Sequence, residues 1–428
     1  MRAPLRVAVA SAVGTTIEWY DFFLYGTAAA LVFRGAFFPE YSTTAGRLAA
    51  FTTFAVGFAA RPLGGLVFGS LGDRAGRRTT LVLTLLLMGF ATTLIAAVPT
   101  YAQIGLAAPV LLTVLRLLQG LAVGGEWGNA VTLAVEHAPA SRRGLYGSAP
   151  QVGAALGLVL STSAFAGAAA VSGDGFATWG WRLPFLLSAV LVAVGLLIRS
   201  HLPESPLFRR VGRVVPDVLG TPGRDRRMIA LAAGAFVCPP AVFYVITVFG
   251  LAHATEQLGV SRQVFLTAVL LGAVLECVAV PAFGALSDRV GRRTVYAIGL
   301  LTTGVWAFPA GILIGTGSAP LIHLAVGVAI GVGHAAAYAS AAAFFTELFD
   351  TAHRCRGASL GYQIGALIGG GLVPLLTAAL VAGAGGAWWP AAVVLAGSAS
   401  LSLACLAALR ETKDVGLTDL AGLRPVRA

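Results

Sequence analysis

Long apolar stretches separated by short polar segments run through the whole chain. An α-helix needs about 20 mainly apolar residues to cross the hydrocarbon core of a bilayer, and about a dozen stretches reach that length. Pro239 and Pro240 are expected to bend the seventh stretch, because proline removes a backbone hydrogen bond inside a helix. The pattern predicts an all-α integral membrane protein with twelve transmembrane helices, over residues 8–33, 47–70, 79–98, 106–135, 144–170, 180–198, 228–252, 263–286, 294–315, 320–345, 357–384 and 388–409.

The longest basic, proline-containing segment, residues 199–227, lies near the middle of the chain. Six predicted helices precede it and six follow it. We therefore expect an N-terminal six-helix bundle over 1–198, a cytoplasmic linker over 199–227, a C-terminal six-helix bundle over 228–410 and a cytoplasmic tail over 411–428.

The two predicted bundles repeat one another. GSLGDRAGRR ends at Arg78 and GALSDRVGRR ends at Arg293, so that Asp73 and Asp288 are 215 residues apart. A second pair of similar segments begins at Glu136 and at Glu347. Two repeats in the same order and orientation are typical of a duplicated transporter fold.

Lysine and arginine are concentrated on alternate loops. If both termini lie on one side of the membrane, 23 of the 29 basic residues lie on that side. Positively charged loops stay in the cytoplasm, so both termini are predicted to be cytoplasmic. The same bias accounts for the net charge of +11, and no nucleic-acid partner is expected.

Composition narrows the class of protein further. Only 11% of the residues are charged, whereas soluble proteins carry about 25%. The four cysteines and six histidines show no metal or disulfide spacing, and the G-x-x-x-x-G-K-[ST] phosphate loop is absent. We therefore expect neither an enzyme nor a cofactor or metal site.

Several motifs resemble a known family. The two G-x-x-x-D-R-x-G-R-R segments and RLLQG (116–120) look like the major facilitator superfamily. The more specific stretches TTIEWYDFFLYG (15–26), ARPLGG (60–65), RLLQGLAVGGEWG (116–128), WGWRLPF (179–185) and LPESP (202–206) resemble its metabolite:proton symporter family. That family includes carriers for shikimate, 2-oxoglutarate, citrate, and proline or betaine. GASLGYQIGALIGGGLVPLL (357–376) looks closest to the shikimate permease branch.

The resemblance implies two pseudo-symmetric six-helix bundles, the major facilitator fold, working by alternating access. It also implies a multi-pass protein of the bacterial cytoplasmic membrane. The expected partners are a small-molecule solute, a proton and the lipid bilayer, and we expect a monomer.

Acidic residues in the first predicted helix are candidates for proton coupling. Glu18 and Asp21 share one helical face with Tyr25, and that face must point into the bundle because charges in lipid are costly. A buried carboxylate can exchange a proton near neutral pH. The alternative is a structural salt bridge to an arginine of a neighbouring helix. Glu126 is a third candidate, although it is more easily explained as support for a gate or neighbouring helix.

Arg61 and Arg116 are predicted to lie near the middle of the membrane, where such carriers bind ligand. A guanidinium matches a carboxylate with two hydrogen bonds, so one of them is expected to hold the substrate, with Arg116 slightly favoured. The alternative is permanent neutralisation of Glu18 or Asp21. Glu276 and His334 are further mid-helix polar residues that could bind ligand hydroxyl groups or a second proton. The full predicted substrate site is Arg116, Arg61, Tyr25, Gln119, Tyr244, Tyr338 and Gln363.

The repeated aspartate–arginine loops are expected to form a gate. Gly72 and Gly76 would allow a tight turn, and Asp73 can cap a helix start. In the superfamily such loops lock the cytoplasmic side when the carrier faces outward; the alternative is that their arginines only set topology. The predicted gate residues are Asp73, Arg74, Arg77, Asp288, Arg289 and Arg292.

Together these features predict a proton-coupled symporter of a small carboxylate, either shikimate-like or a keto acid. A carrier for a zwitterion such as betaine or proline is one alternative, although the short C-terminal tail argues against that branch. A proton-driven exporter of a secondary metabolite is another, because the sequence does not fix direction.

Overall fold

The computed structural model describes residues 3–40, 43–211 and 223–417, and all regular structure within these ranges is helical. Parts of the predicted linker (212–222) and tail (418–428) lie outside the described residues. The twelve long helices are α1 Ala3–Ala28, α2 Thr43–Ala75, α3 Arg77–Ala97, α4 Ala107–His137, α5 Ala149–Ser172, α6 Leu183–Ser200, α7 Asp225–Glu256, α8 Arg262–Val290, α9 Arg292–Gly315, α10 Ala319–Leu348, α11 Arg354–Gly383 and α12 Trp389–Ala408.

Some of these helices are locally irregular. A π-helical turn follows α1 at Ala29–Phe33, and others lie inside α7 at Val245–Phe249, α10 at Ala329–His334 and α11 at Leu367–Leu372. α7 is also interrupted between Ala235 and Cys238, just before the two prolines predicted to bend it. Short helices cover Arg34–Phe37, Tyr101–Ile104, Arg143–Gly147 and Pro206–Val211, with 3₁₀ turns at Ala140–Arg142, Gly173–Ala177 and Gly180–Arg182.

The prediction of twelve transmembrane helices is confirmed. Within the described residues, eleven of these helices are long and apolar enough to cross a bilayer. α1 is less apolar, because Glu18, Asp21 and its tyrosines lower its hydropathy. It nevertheless packs along α5, and both carboxylates are buried. Large apolar side chains such as Val278 and Val305, each 70% exposed, cover the outside of the bundle, as a lipid-facing surface requires.

The helix contacts show the duplication. In the first half, α1 packs on α5, α2 on α4 and α3 on α6; in the second half, the pairs are α7 with α11, α8 with α10 and α9 with α12. The two halves meet mainly where α2 contacts α11 and where α8 contacts α5. Small residues bring the helices together: a Cβ on Gly64 of α2 would overlap the backbone of α4.

The turn after α2 differs from the sequence expectation in one respect. Gly76, with φ of 106°, makes the turn into α3, and Gly291, with φ of 105°, makes the equivalent turn into α9. These values favour glycine because other residues rarely adopt them. Gly72, by contrast, lies inside α2, where a Cβ would overlap Asn129 of α4. Its role is therefore close helix packing, and its assignment to the turn was wrong.

Candidate functional site

A cavity of about 40 Å³ lies between the two halves. This volume holds a few water molecules, since each needs about 10–15 Å³, so the halves must separate before a metabolite fits. Aromatic side chains form much of its wall. The cavity is lined by Trp19, Phe23, Arg61, Ala154, Ala155, Phe236, Pro240, Phe243, Tyr244, Glu276, His334, Tyr338, Tyr362 and Ala366.

Arg61 of α2 contributes a buried cation to the wall of the cavity. Its side chain is 1% exposed, and its guanidinium carbon lies 4.3 Å from the ring centroids of both Phe22 and Phe58. Nε and Nη2 have no hydrogen-bond partner among the described residues. Aromatic rings attract a cation by their negative faces, but they leave its N–H groups free to donate. Arg61 is therefore poised to bind an anion.

Arg116 of α4 lies behind Arg61 and does not line the cavity. Its guanidinium carbon is 4.6 Å from the Phe22 centroid and 4.3 Å from that of Tyr25. Its Nη1 donates to Gln119 Oε1 at 3.0 Å, and Gln119 Nε2 donates to Thr92 Oγ1 at 2.8 Å. Of the two predicted arginines, Arg61 is the one in direct contact with the cavity, and the ring of Phe22 is shared by both.

The two acidic residues of α1 are buried in the same half as these arginines. Glu18 is 4% exposed and Asp21 is fully buried. Neither carboxylate lies within 4.0 Å of a basic nitrogen in the described parts of the chain, and Asp21 lies beside the hydroxyl groups of Thr92 and Ser188. The alternative of a permanent salt bridge therefore has no support from this conformation. Tyr25 of the same face donates to Thr53 Oγ1 at 2.7 Å.

Glu126, the third predicted proton site, is already paired with another side chain. It forms an ion pair with Arg199 of α6 and accepts a hydrogen bond from Thr84 Oγ1 at 2.9 Å. All of these groups are buried. This arrangement joins α3, α4 and α6 and fits the alternative of helix support.

The second half contributes a buried acid–base pair. Glu276 Oε1 of α8 lies 2.7 Å from His334 Nδ1 of α10, and the His334 ring stacks on Tyr338 at 4.8 Å. His334 is the last residue of the π-helical turn of α10, which sets where the imidazole lies. The Tyr244 hydroxyl has no hydrogen-bond partner in the described structure, and the Tyr244 ring contacts Phe58 of the other half at 5.6 Å.

The pairing of Glu276 with His334 was not predicted, although the sequence carried a signal for its position. The spacing of 215 residues that relates Asp73 to Asp288 also relates Arg61 to Glu276. Gln363, by contrast, was predicted to touch substrate but does not line the cavity. Its Nε2 donates to the carbonyl oxygens of Val123 at 3.1 Å and Gly124 at 3.3 Å, which ties α11 to α4 across the two halves.

The arginine-rich loops lie on one face of the molecule, which we call the basic face (residues 73–78, 142–143, 288–293 and 354–356). There each aspartate of the repeated motif caps a helix of the opposite half. Asp73 accepts from the backbone N–H groups of Cys355 at 3.1 Å and Arg356 at 3.0 Å. Asp288 accepts from those of Gly144 at 2.8 Å and Leu145 at 2.9 Å. These four hydrogen bonds join the two halves at the basic face.

Buried ion pairs surround each aspartate. Glu136 contacts Arg77 at 3.3 Å and Arg354 of the other half at 2.7 Å. In the second half, Arg292 contacts Asp288 at 2.6 Å and Glu347 at 3.2 Å, while Arg143 reaches Glu347 only at 3.8 Å. Arg289 is exposed, and its backbone carbonyl accepts a hydrogen bond from Lys413 Nζ. Arg74 is half-buried in the last turn of α2.

Two further glutamates, predicted to lie in the linker and the tail, extend this network of contacts. Glu204 accepts from the N–H groups of Arg77 and Arg78 at the start of α3, and Glu411 accepts from those of Arg292 and Arg293 at the start of α9. Burial raises the pKa of Glu411, but the backbone N–H donors outweigh burial and leave the pKa lowered. The negative charge also matches the positive end of each helix dipole.

Comparisons with known proteins agree with this architecture. Residues 7–213 match the family described as Sugar (and other) transporter, and residues 231–422 match the Major Facilitator Superfamily. A solved structure of the proton:xylose symporter XylE bound to 6-bromo-6-deoxy-D-glucose superposes with a TM-score of 0.81 over 98% of both chains at 18% identity.

Curated relatives share much more of the sequence. The shikimate transporter of Escherichia coli K12 is 41% identical over 91% of each chain, and the inner membrane metabolite transport protein YhjE of the same organism is 38% identical over 96% of this chain and 95% of that one. The glycine betaine/proline/ectoine/pipecolic acid transporter OusA of Dickeya dadantii is 32% identical over 90% of this chain and 80% of that one. With these relatives and this fold, the chain belongs to the metabolite:proton symporter family of the major facilitator superfamily, and it is a multi-pass membrane transporter of a small molecule.

Proposed function

We propose that the protein is a proton-coupled symporter that carries a small carboxylate metabolite, shikimate-like or a keto acid, by alternating access. The observation that carries this proposal is the buried guanidinium of Arg61 at the cavity between the two halves. A buried cation whose N–H groups lack acceptors is destabilising until an anion binds it. The 41% identity to a shikimate transporter supports a carboxylate as that anion.

The proton is bound by Asp21 or Glu18. Both carboxylates are buried in the same half as Arg61 and lack an ion-pair partner within 4.0 Å among the described residues. When ionised, Glu18 competes with the substrate for the Arg61 guanidinium, and either buried carboxylate disfavours a second negative charge nearby. Protonation removes that competition, so that a carboxylate substrate binds together with a proton.

The basic face is the cytoplasmic face of a bacterial cytoplasmic membrane, with both termini on that side. The positive-inside bias of the loops supports this orientation. The hydrogen bonds of Asp73 and Asp288 close this face in the present conformation, and release of both opens the cavity to the cytoplasm. The cavity lies within one chain, so a monomer is sufficient for transport.

The proposal is tested by uptake of radiolabelled shikimate into proteoliposomes, with and without an imposed inward proton gradient. Accumulation that depends on the gradient is the expected result. Exchange of internal for external shikimate, with no accumulation when the gradient is imposed, would show binding and translocation without coupling. If neither shikimate nor a panel of keto acids is accumulated or exchanged by folded, inserted protein, the substrate class is wrong.

A second candidate is transport of a zwitterion such as betaine or proline. The observation that favours it is the aromatic lining of the cavity, because aromatic faces bind quaternary ammonium groups. Betaine and proline belong in the same uptake panel. Preferential accumulation of either would favour this candidate over a carboxylate without a positive charge.

A further inference from the structure

Arg61 and Glu276 occupy equivalent positions in the two repeats and carry opposite charges. Both line the cavity, with 1% and 3% of their surface exposed, one on each half. They do not form an ion pair with each other in the described structure, since Glu276 is paired with His334. The cavity therefore has a cationic wall and an acidic wall that a ligand can bridge.

His334 fixes the orientation of the Glu276 carboxylate. The imidazole is held by its 2.7 Å contact with Oε1 and by stacking on Tyr338 at 4.8 Å and Phe243 at 5.1 Å. A neutral imidazole that donates from Nδ1 presents Nε2 as an acceptor. Among the described residues, the other polar side chains near the pair are Tyr244, Tyr338 and Tyr362, the neighbouring Cys277 and, on the opposite half, Trp19 and Arg61. Hydrogen-bond acceptors with fixed positions thus characterise the acidic wall.

We propose that Glu276 and His334 form a subsite that binds a hydroxyl group of the transported carboxylate, while Arg61 binds its carboxylate group. This inference rests on the proposed function and narrows it to hydroxylated acids. The ligand hydroxyl donates to the Glu276 oxygen that His334 leaves free, in a charge-assisted hydrogen bond. The ligand then contacts α2 of one half and α8 and α10 of the other, so that its binding favours closure of the halves around it.

Other ligand chemistries fit the acidic wall less well. A second carboxylate would be repelled by Glu276. A quaternary ammonium has no N–H to donate, and an acid without hydroxyl groups would leave a buried carboxylate oxygen without a donor. Sites built to bind a ligand O–H reject the analogue that lacks it, because their own buried polar groups are then left unpaired.

The test compares two ligands on two proteins. Equilibrium binding of shikimate, whose ring carries three hydroxyl groups and one carboxylate, is measured against cyclohex-1-ene-1-carboxylate, which has the same ring and carboxylate but no hydroxyl groups. Purified full-length wild type and the Glu276→Gln variant are used. Val278→Ala, two residues along the same helix and 70% exposed, is the matched control.

Wild type is expected to bind shikimate at least about 10-fold more tightly than the analogue, which corresponds to loss of one charge-assisted hydrogen bond. In Glu276→Gln, shikimate binding should weaken, so that most of the difference in affinity between the two ligands disappears. Affinity for the analogue should stay within about twofold of the wild-type value. His334→Asn, which frees the carboxylate to rotate, should reduce the ratio less. It also tests the subsite independently if Glu276→Gln does not fold.

The outcomes separate this inference from the proposed function. If wild type accumulates shikimate, but Glu276→Gln weakens the binding of both ligands equally or of neither ligand, the subsite is overturned and carboxylate symport stands. If proline displaces shikimate, and proline binding depends more strongly on Glu276 than shikimate binding does, the acidic wall binds an ammonium group and the inference is overturned. If wild type binds neither carboxylate, both the substrate class and the subsite are wrong.

Discussion

The same duplication has produced two similar sets of contacts at the basic face, which we propose as the gate, and one asymmetric cavity. At the basic face, Asp73 and Asp288 each cap a helix of the opposite half with two backbone hydrogen bonds. Glu204 and Glu411 cap the starts of α3 and α9. In the cavity, the equivalent residues are Arg61 and Glu276, which differ in charge. A gate must join two similar surfaces reversibly, so symmetry serves it. A small metabolite has unlike ends, so the walls that hold it must differ.

The asymmetry of the cavity predicts that Arg61→Ala has the largest effect on substrate binding. Truncating one partner of a buried charge-assisted contact costs about 2–5 kcal/mol, so the shikimate Kd should rise about 30-fold or more. Isothermal titration of purified protein measures this change. Arg262→Ala, an exposed arginine at the start of α8, is the control.

Arg116→Ala provides the decisive contrast. Arg116 lies behind Phe22 and outside the cavity lining, so its removal should raise the Kd less than removal of Arg61. The opposite order would mean that Arg116 holds the substrate in the binding-competent conformation, as the sequence alone slightly favoured.

Proton coupling is expected to depend on the first half alone. Asp21→Asn and Glu18→Gln each mimic the protonated side chain at a buried position without an ion pair. The variant at the coupling residue should retain shikimate exchange in proteoliposomes but lose accumulation above equilibrium under a proton gradient. If both single variants and the double variant accumulate substrate normally, proton coupling lies elsewhere, and Glu276 becomes the next position to test.

The sequence predicted the fold well but the contacts of charged residues poorly. Hydrophobic length and the repeated motifs near Asp73 and Asp288 were enough for twelve helices in two halves. Which arginine meets which carboxylate depends on how helices tilt and rotate in three dimensions, and the periodicity of one helix does not contain that information. Glu126 was thus a proton candidate by sequence, whereas its partner Arg199 lies 73 residues away, in α6.

The two halves of the proposed gate have similar contacts, but we expect them to contribute unequally to closure, which Glu136→Gln and Glu347→Gln test. Glu136 is bound by two buried arginines and by the Ser205 hydroxyl. Its loss leaves Arg77 and Arg354 poorly paired, and removing one partner of a buried ion pair costs about 3–5 kcal/mol. Loss of Glu347 should open the gate less, because Arg292 keeps its 2.6 Å contact with Asp288.

The thiol of Cys355 is a native reporter for this gate. It is fully buried in the closed conformation, and its backbone N–H donates to Asp73. With Cys238, Cys277 and Cys405 changed to alanine, maleimide labelling of Cys355 should be several-fold faster in Glu136→Gln than in Glu347→Gln. Equal rates in the two variants would show that the halves contribute equally to closure.

The smallest expected effect is the pH-dependent cap made by Glu411. Because backbone donors lower the pKa of this carboxyl below its ordinary value of 4.5, its stabilising contribution is fully present above that value and is lost as pH falls through the lowered pKa. Glu411→Ala should cost about 1 kcal/mol, as loss of a helix cap does, and lower the Tm of the detergent-solubilised protein by about 2 °C at pH 7. The difference from wild type should shrink as the pH falls below 4.5 and should be gone below the lowered pKa, where the carboxyl of folded wild type is protonated. A Tm difference that stays constant with pH would mean that Glu411 acts through packing rather than charge, and that this gate is held closed without its cap.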